Sequence, residues 1–294
     1  MIFVRYYTII NDCGYEIRTM IMRKIVVVAR DIIAVAVIGI VANLLSSAQI
    51  PLFQIINNDI RFTVSYVLTM SLMLAGVWLY DRFVAHGKER IMVRFAGFNP
   101  ATLLWGLVLI VALSVLIAPL MRLLPEVETN LPAGLVSMLC VVILAPIFEE
   151  VLFRGKIFSV FSATLSPLLS ALASALLFGV MHGNVAVALE AFLVGIVLSY
   201  IYILKGSIFA PILLHIMNNI VAYMMMTFKY QERTIEDFIG DLPIFSTIYI
   251  VSAVVVLLGA IHAGYIFIKA HRVVAQGGKL VDVSRGKRGD DNKE

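Results

Sequence analysis

The sequence predicts an all-α fold, a polytopic helical membrane protein with about eight transmembrane helices, and three observations predict it. Of its 294 residues, 61% are hydrophobic and 14% charged, with mean hydropathy +0.96. Soluble domains run nearer 45–50% apolar and about 25% charged. Apolar runs long enough to cross roughly 30 Å of hydrocarbon at 1.5 Å per residue recur along the chain. Lys and Arg cluster in alternate connections, as the positive-inside rule requires of a chain that crosses repeatedly.

In order, the expected spans are 31–50, 62–80, 101–120, 133–153, 167–183, 185–204, 207–228 and 246–268. Each is bounded by residues that interrupt helices: Pro51, Asn99-Pro100, Pro125, Pro132, Ser166-Pro167, Gly206 and Pro243. Residues 1–24 precede the first span as an N-terminal cytoplasmic segment, with Met20 and Met22, just before Arg23-Lys24, as candidate starts. Residues 25–271 form one transmembrane helical domain, whose motif-bearing core is 133–228. Residues 272–294, rich in Gly, Lys and Asp, are expected as a basic, disordered cytoplasmic tail. No soluble repeat and no inverted repeat of the transporter kind is visible.

With both termini cytoplasmic, the inside segments carry 19 of the 23 Lys and Arg residues and the outside segments only Arg61, Arg122, Lys229 and Arg233. The net charge of +4 is then a matter of topology, and no nucleic acid is expected as a partner. The partners implied are membrane lipids and a substrate that reaches the bilayer, most simply a bacterial cytoplasmic membrane. Cys13 and Cys140 lie in different settings, so neither a structural disulfide nor a zinc-finger spacing is expected.

The polar residues inside the apolar runs point to chemistry. Glu149 and Glu150 follow an apolar stretch in the fourth span, and Arg154 follows one helical turn later. One acidic residue at a helix centre costs roughly 2.5–3.5 kcal/mol on insertion scales, so a pair needs partners or a use. Glu150 and Arg154 are at i and i+4 with the acid N-terminal, which suits an ion pair. Glu149 is turned about 100° away from that pairing face. His182 follows Phe178 by four residues on the fifth span, and Asn219 follows His215 by four on the seventh. Three helices can therefore project polar groups into one interior. A carboxylate held apart from the ion pair, with histidines and an asparagine, is what water-driven acyl hydrolysis requires: a base, a partner on the water, and oxyanion donors. Glu190 is a further intramembrane acid, expected either to support the site residues from behind or to play a structural role. His86, His262 and His271 are expected to be solvated near the interfaces.

These residues resemble a known family. Glu-Glu-x-x-x-Arg at 149–154, Phe-x-x-x-His at 178–182 and His-x-x-x-Asn at 215–219 look like the motifs of the CPBP intramembrane proteases. That family includes the CAAX prenyl endopeptidases of the Rce1 type and the bacterial Abi proteins. The order of the motifs matches too, and the resemblance covers about 149–219. It implies an intramembrane endopeptidase acting on a peptide or membrane-protein substrate, lipidated in the CAAX case. Glu149 would be the base, His182 its partner on the water, and His215 with Asn219 the oxyanion donors, with Glu150 and Arg154 completing the catalytic set. The family is often labelled metallopeptidase. A zinc ion would take Glu149, His182 and His215 as a His₂Glu set with an open water position, although the chain has no HExxH and draws these ligands singly from three helices.

Two other classes compete. Intramembrane Glu, His and Arg also build the relays of ion- or proton-coupled transporters. A catalytically silent membrane protein that binds peptides, as in bacteriocin immunity, could share the same residues. One geometric demand follows for every reading. Simple spans put Glu149 near the inner end of the fourth helix and His182 near the outer end of the fifth. They can meet if the fourth helix continues past Arg154 toward Ser162 and the fifth begins outside the bilayer.

Overall fold

A computed structural model describes residues 2–47, 57–86, 99–124, 134–227 and 242–285. Among these residues are nine helices and no strand: α1 (Ile2–Ser47), α2 (Asn58–Ala85), α3 (Pro100–Met121), α4 (Leu135–Ser162), α5 (Pro167–Val180), α6 (Val185–Lys205), α7 (Phe209–Thr227), α8 (Leu242–Ala275) and α9 (Leu280–Arg285). Seven of them are long and apolar enough to cross a membrane. The expected fifth span is instead a 14-residue helix, Pro167–Val180. At 1.5 Å per residue it reaches only about 21 Å, short of the hydrocarbon thickness.

The local sequence accounts for the starts. Asn57, Asn99, Ser166 and Asn184 each accept from backbone N–H groups of the first turn they precede. Pro100 and Pro167 open their helices where a missing N–H costs nothing. α1 has no break at residue 24, so the expected N-terminal segment is the first half of one 46-residue helix. At the other end, the expected disordered tail starts as structure. α8 continues to Ala275, and α9 folds back so that Leu280 and Val283 are buried with Ile203, Ile208, Ala270 and Val273. Lys269 Nζ donates to the Val283 carbonyl at 2.9 Å and fastens the return. The apolar spacing of Leu280 and Val283 is what selects this over disorder.

Packing centres on α6, which has more than half of its apolar window buried. Small residues let α5 approach it. A Cβ on Gly179 would stand 2.5 Å from the Ala188 carbonyl oxygen, and one on Gly195 would stand 3.1 Å from the Ala175 Cβ. This is the small-residue packing by which membrane helices gain dispersion contact without a hydrophobic drive. Two apolar clusters result. One joins α6 to α3, α7, α8 and α9. The other joins α1, α2 and α4 around Met73, Val77, Leu152, Phe153 and Phe161.

Polar ties set the order of α1, α2 and α4. Asp31 and Ser46 of α1 meet Tyr80 and Thr69 of α2, so those two helices are antiparallel. α2 and α4 run in the same direction. The Asp59 carboxylate at the start of α2 accepts from the N–H groups of Val136 and Ser137 at the start of α4, at 3.2 and 2.6 Å. Near the far ends, Lys156 Nζ lies 3.5 Å from Asp81 Oδ2. His262, expected to be solvated, is on α8 with its Nδ1 2.6 Å from the Tyr200 hydroxyl, which also accepts from Trp105.

α4 satisfies the geometric demand made by the sequence. It continues unbroken past Arg154 to Ser162, 28 residues in all, and carries two widened π-helical stretches, Cys140–Leu144 and Val151–Ile157. Those stretches bracket the two glutamates.

Candidate active site

Glu150 and Arg154 form the innermost part. Both are fully buried, and Arg154 Nη1 donates to Glu150 Oε1 at 2.7 Å. The i, i+4 pairing expected from the sequence is therefore present. Arg154 is also held from α6, where its Nη2 donates to the Gly195 carbonyl at 3.0 Å. Its guanidinium carbon lies 4.8 Å from the centre of the Phe178 ring, a cation–π distance. Gly195 and Phe178 are partners of the arginine that the intrahelical spacing could not disclose.

His215 comes from α7 and faces both carboxylates. Its Nδ1 is 2.9 Å from Glu150 Oε1, and its Nε2 is 3.6 Å from Glu149 Oε2. An ionised carboxylate can only accept, so the Glu150 contact puts a proton on Nδ1 and orients the ring. Glu150 thus serves two donors on one oxygen, Arg154 and His215.

Glu149 is turned away from that pair, as its helical position requires. Its side chain is 15% exposed, against none for Glu150. Its Oε1 accepts from the Tyr66 hydroxyl of α2 at 2.7 Å. Sequence reasoning did not include Tyr66. It lies 83 residues away, and the only available signal was a hydroxyl inside an apolar span.

His182 sits just past the end of α5, and the reason is a capping requirement. The last turn tightens: the His182 N–H donates to the Gly179 carbonyl, which leaves the Phe178 carbonyl without its i+4 donor. The ring Nδ1 of His182 takes that place at 2.7 Å. A carbonyl can only accept, so Nδ1 carries the proton and Nε2 presents a lone pair. The Phe-x-x-x-His spacing therefore fixes a tautomer as well as a position. Phe178 also stands edge-on to both histidines, with centroids 4.9 Å from His182 and 5.6 Å from His215.

Glu149 and His182 line the same recess. Its volume is about 130 Å³, and its other walls are Met70, Leu152, Phe153, Phe178 and Met181. An acid and an imidazole, Glu149 and His182, thus border one small, mostly apolar-walled space.

Asn219 is used differently. Pro146 has no N–H, and in the wide Cys140–Leu144 stretch its position is the one that would have bonded the Val141 carbonyl. Asn219 Nδ2 donates to that carbonyl at 3.0 Å and ties α7 to α4. The asparagine is thus bound to backbone, and neither it nor His215 is among the residues lining the recess. Glu190 is exposed on α6, with no hydrogen bond or ion pair among the described residues, and it does not line the recess.

The zinc set of Glu149, His182 and His215 does not converge. Among the described residues no group of three or more His, Cys, Asp or Glu side chains is placed to hold a metal ion. His215 has each ring nitrogen directed at a carboxylate oxygen, which makes it a link between the two acids.

Comparison with known proteins agrees with the motif reading over the same stretch. Residues 131–221 match the family described as Type II CAAX prenyl endopeptidase Rce1-like, consistent with the CPBP family. All seven motif residues, from Glu149 to Asn219, lie within that match. A protein of Escherichia coli named only "Uncharacterized 24.3 kDa protein" is 37% identical over 93 residues, which is 30% of this chain and 43% of the relative. The chain thus spans less than half the length of the curated relative it matches. No solved structure matches the chain.

Proposed function

We propose that this protein is an intramembrane endopeptidase of the CAAX-protease kind, which hydrolyses a peptide bond with a water activated between Glu149 and His182. The observation that carries this reading is the shared recess of Glu149 and His182, one acceptor from each of two helices. A water there donates one hydrogen to the Glu149 carboxylate and the other to His182 Nε2, and its lone pair is free to attack. The water oxygen bonds to the scissile carbonyl carbon as Glu149 takes its proton. The tetrahedral intermediate then expels the amine, which receives that proton from Glu149. Buried Glu150 and Arg154 set the position of α4 and, through His215, the environment of Glu149. The remaining N–H of Asn219 is a candidate oxyanion donor, and His215 joins it only as an imidazolium, with a second proton on Nε2. The thioether and aromatic walls suit an apolar substrate side chain next to the cut bond.

A transporter relay would need polar groups in matched halves of the chain, whereas here they gather on α4, α5 and α7 with Tyr66 of α2. A silent peptide-binding protein would keep the recess but lack turnover. The test is reconstitution into lipid vesicles with a library of membrane-anchored peptides, lipidated and not. Wild type should cut, and Glu149→Gln should lose about 10²–10⁴-fold in rate at unchanged folded yield. Activity should survive exhaustive chelation, because the donor set does not converge on a metal. Equal activity of Glu149→Gln and wild type on a verified substrate would remove this site from the chemistry. Activity lost on chelation and restored by stoichiometric zinc would reverse the metal-free reading.

A further inference from the structure

The hydroxyl of Tyr66 is 2.7 Å from Glu149 Oε1, and it comes from α2, outside the 131–221 stretch that matches the family. We infer that Tyr66 is a positioning residue for the proposed base: its phenol holds Oε1 and turns Oε2 into the oxygen that takes the proton from water. The inference rests on the proposed function and adds to it a part supplied by a different helix.

Three features support the assignment. A carboxylate on a long side chain rotates about its last bond, and one strong donor on one oxygen removes that freedom. The Tyr66 ring is itself steadied, stacked on Phe62 one turn earlier with centroids 6.5 Å apart and planes 23° apart. The backbone beneath it is fixed at both ends by other groups. Asp59 holds the start of α4, and Asp81 meets Lys156 near its end. Tyr66 is on the same face of α2 as these two, between them, and it is the tie that enters the site. The fold therefore does not depend on its hydroxyl, while the aim of Glu149 does.

The experiment is Tyr66→Phe, which deletes the hydroxyl and keeps the ring, measured for kcat, KM and melting temperature in vesicles. Loss of alignment of a reacting group costs on the order of 10–100-fold, so kcat should fall by about that factor with KM within about twofold and the melting temperature unchanged. In a Glu149→Gln background the same substitution should have no further effect on the residual rate, because the group it aims is no longer a base. Wild-type kcat for Tyr66→Phe overturns the inference. So does a fall of equal factor in the Glu149→Gln background, and so does a protein that melts well below wild type, since either outcome assigns Tyr66 to packing. The two levels fail separately: an inactive Glu149→Gln with a fully active Tyr66→Phe removes only the role of Tyr66, whereas an active Glu149→Gln removes the site.

Discussion

Neutralising Glu150 should unsettle the protein in a way that neutralising Glu149 does not. Glu150 and Arg154 are both fully buried and 2.7 Å apart. At an effective dielectric of about 20, unit charges about 4 Å apart attract by about 4 kcal/mol. Measured losses on breaking a buried pair by removing one partner are of similar size, about 3–5 kcal/mol. Glu150→Gln preserves shape and can still accept from Arg154. It leaves the guanidinium with a neutral amide, the Gly195 carbonyl and the Phe178 face as its contacts, none of which carries a full charge. It also removes the carboxylate that orients His215. Stability and activity should therefore fall together, by about 3–5 kcal/mol in the first. Arg154→Gln strands the opposite charge and should behave alike. The double variant buries no net charge, so its cost should fall short of the sum of the singles by about 2 kcal/mol, within the usual range for contacting residues. The assay is unfolding in detergent for the three variants and wild type, with turnover in vesicles alongside. Losses that simply add, within about 0.5 kcal/mol, would show that the pair is not coupled and refute the reasoning. If Glu149→Gln destabilises while Glu150→Gln is stable and inactive, the two glutamates have been given each other's roles.

Asn219→Ala leaves the Val141 carbonyl without a donor, a loss of about 1–3 kcal/mol for a buried unsatisfied group, and thermal unfolding should register it. Asn219→Asp, which cannot donate when ionised, should be at least as unstable; full stability in both variants would mean that the tie does not matter. The 19 to 4 charge division, counted with the short α5 as an outward pass and α6 as its return, predicts that reporter fusions after residues 57 and 237 read as external. A cytoplasmic signal from the second position would invert the orientation.

Interactions confined to one helix were legible in the sequence. The Glu150–Arg154 pair follows from i, i+4 spacing alone, and the same spacing put Phe178 beside His182. The cap that fixes the His182 tautomer needed the structure, because it depends on how the last turn of α5 tightens. The extension of α4 to Ser162 could be argued because Glu149 and His182 cannot meet without it. Contacts between distant helices were not legible. Tyr66 and Glu149 are linked by no periodicity, and the bond from Asn219 to Val141 arises from a wide turn placed one residue ahead of a proline. Composition misled at the C-terminus, where Gly and charge suggested disorder while Leu280 and Val283 were sufficient to dock α9. His262 is exposed as expected, but its bond to Tyr200 was not legible, since that partner lies on another helix.

The place of Glu149 along α4 also bears on how deep a reaction there would take place. Glu149 is 14 residues beyond Leu135, about 21 Å along the helix, so with Leu135 at one face of a hydrocarbon layer of about 30 Å it lies about 9 Å from the opposite face. An extended chain covers that depth in about three residues. Under the proposed reading the bilayer surface then acts as a fixed stop. A substrate whose cut bond lies about three residues inside the point where its chain enters the lipid reaches Glu149, and a bond much nearer the surface or much deeper does not. Selection would follow from distance to the lipid boundary as much as from side-chain identity, so moving a cleavable segment by two residues along an otherwise unchanged membrane anchor should matter more than conservative changes within it.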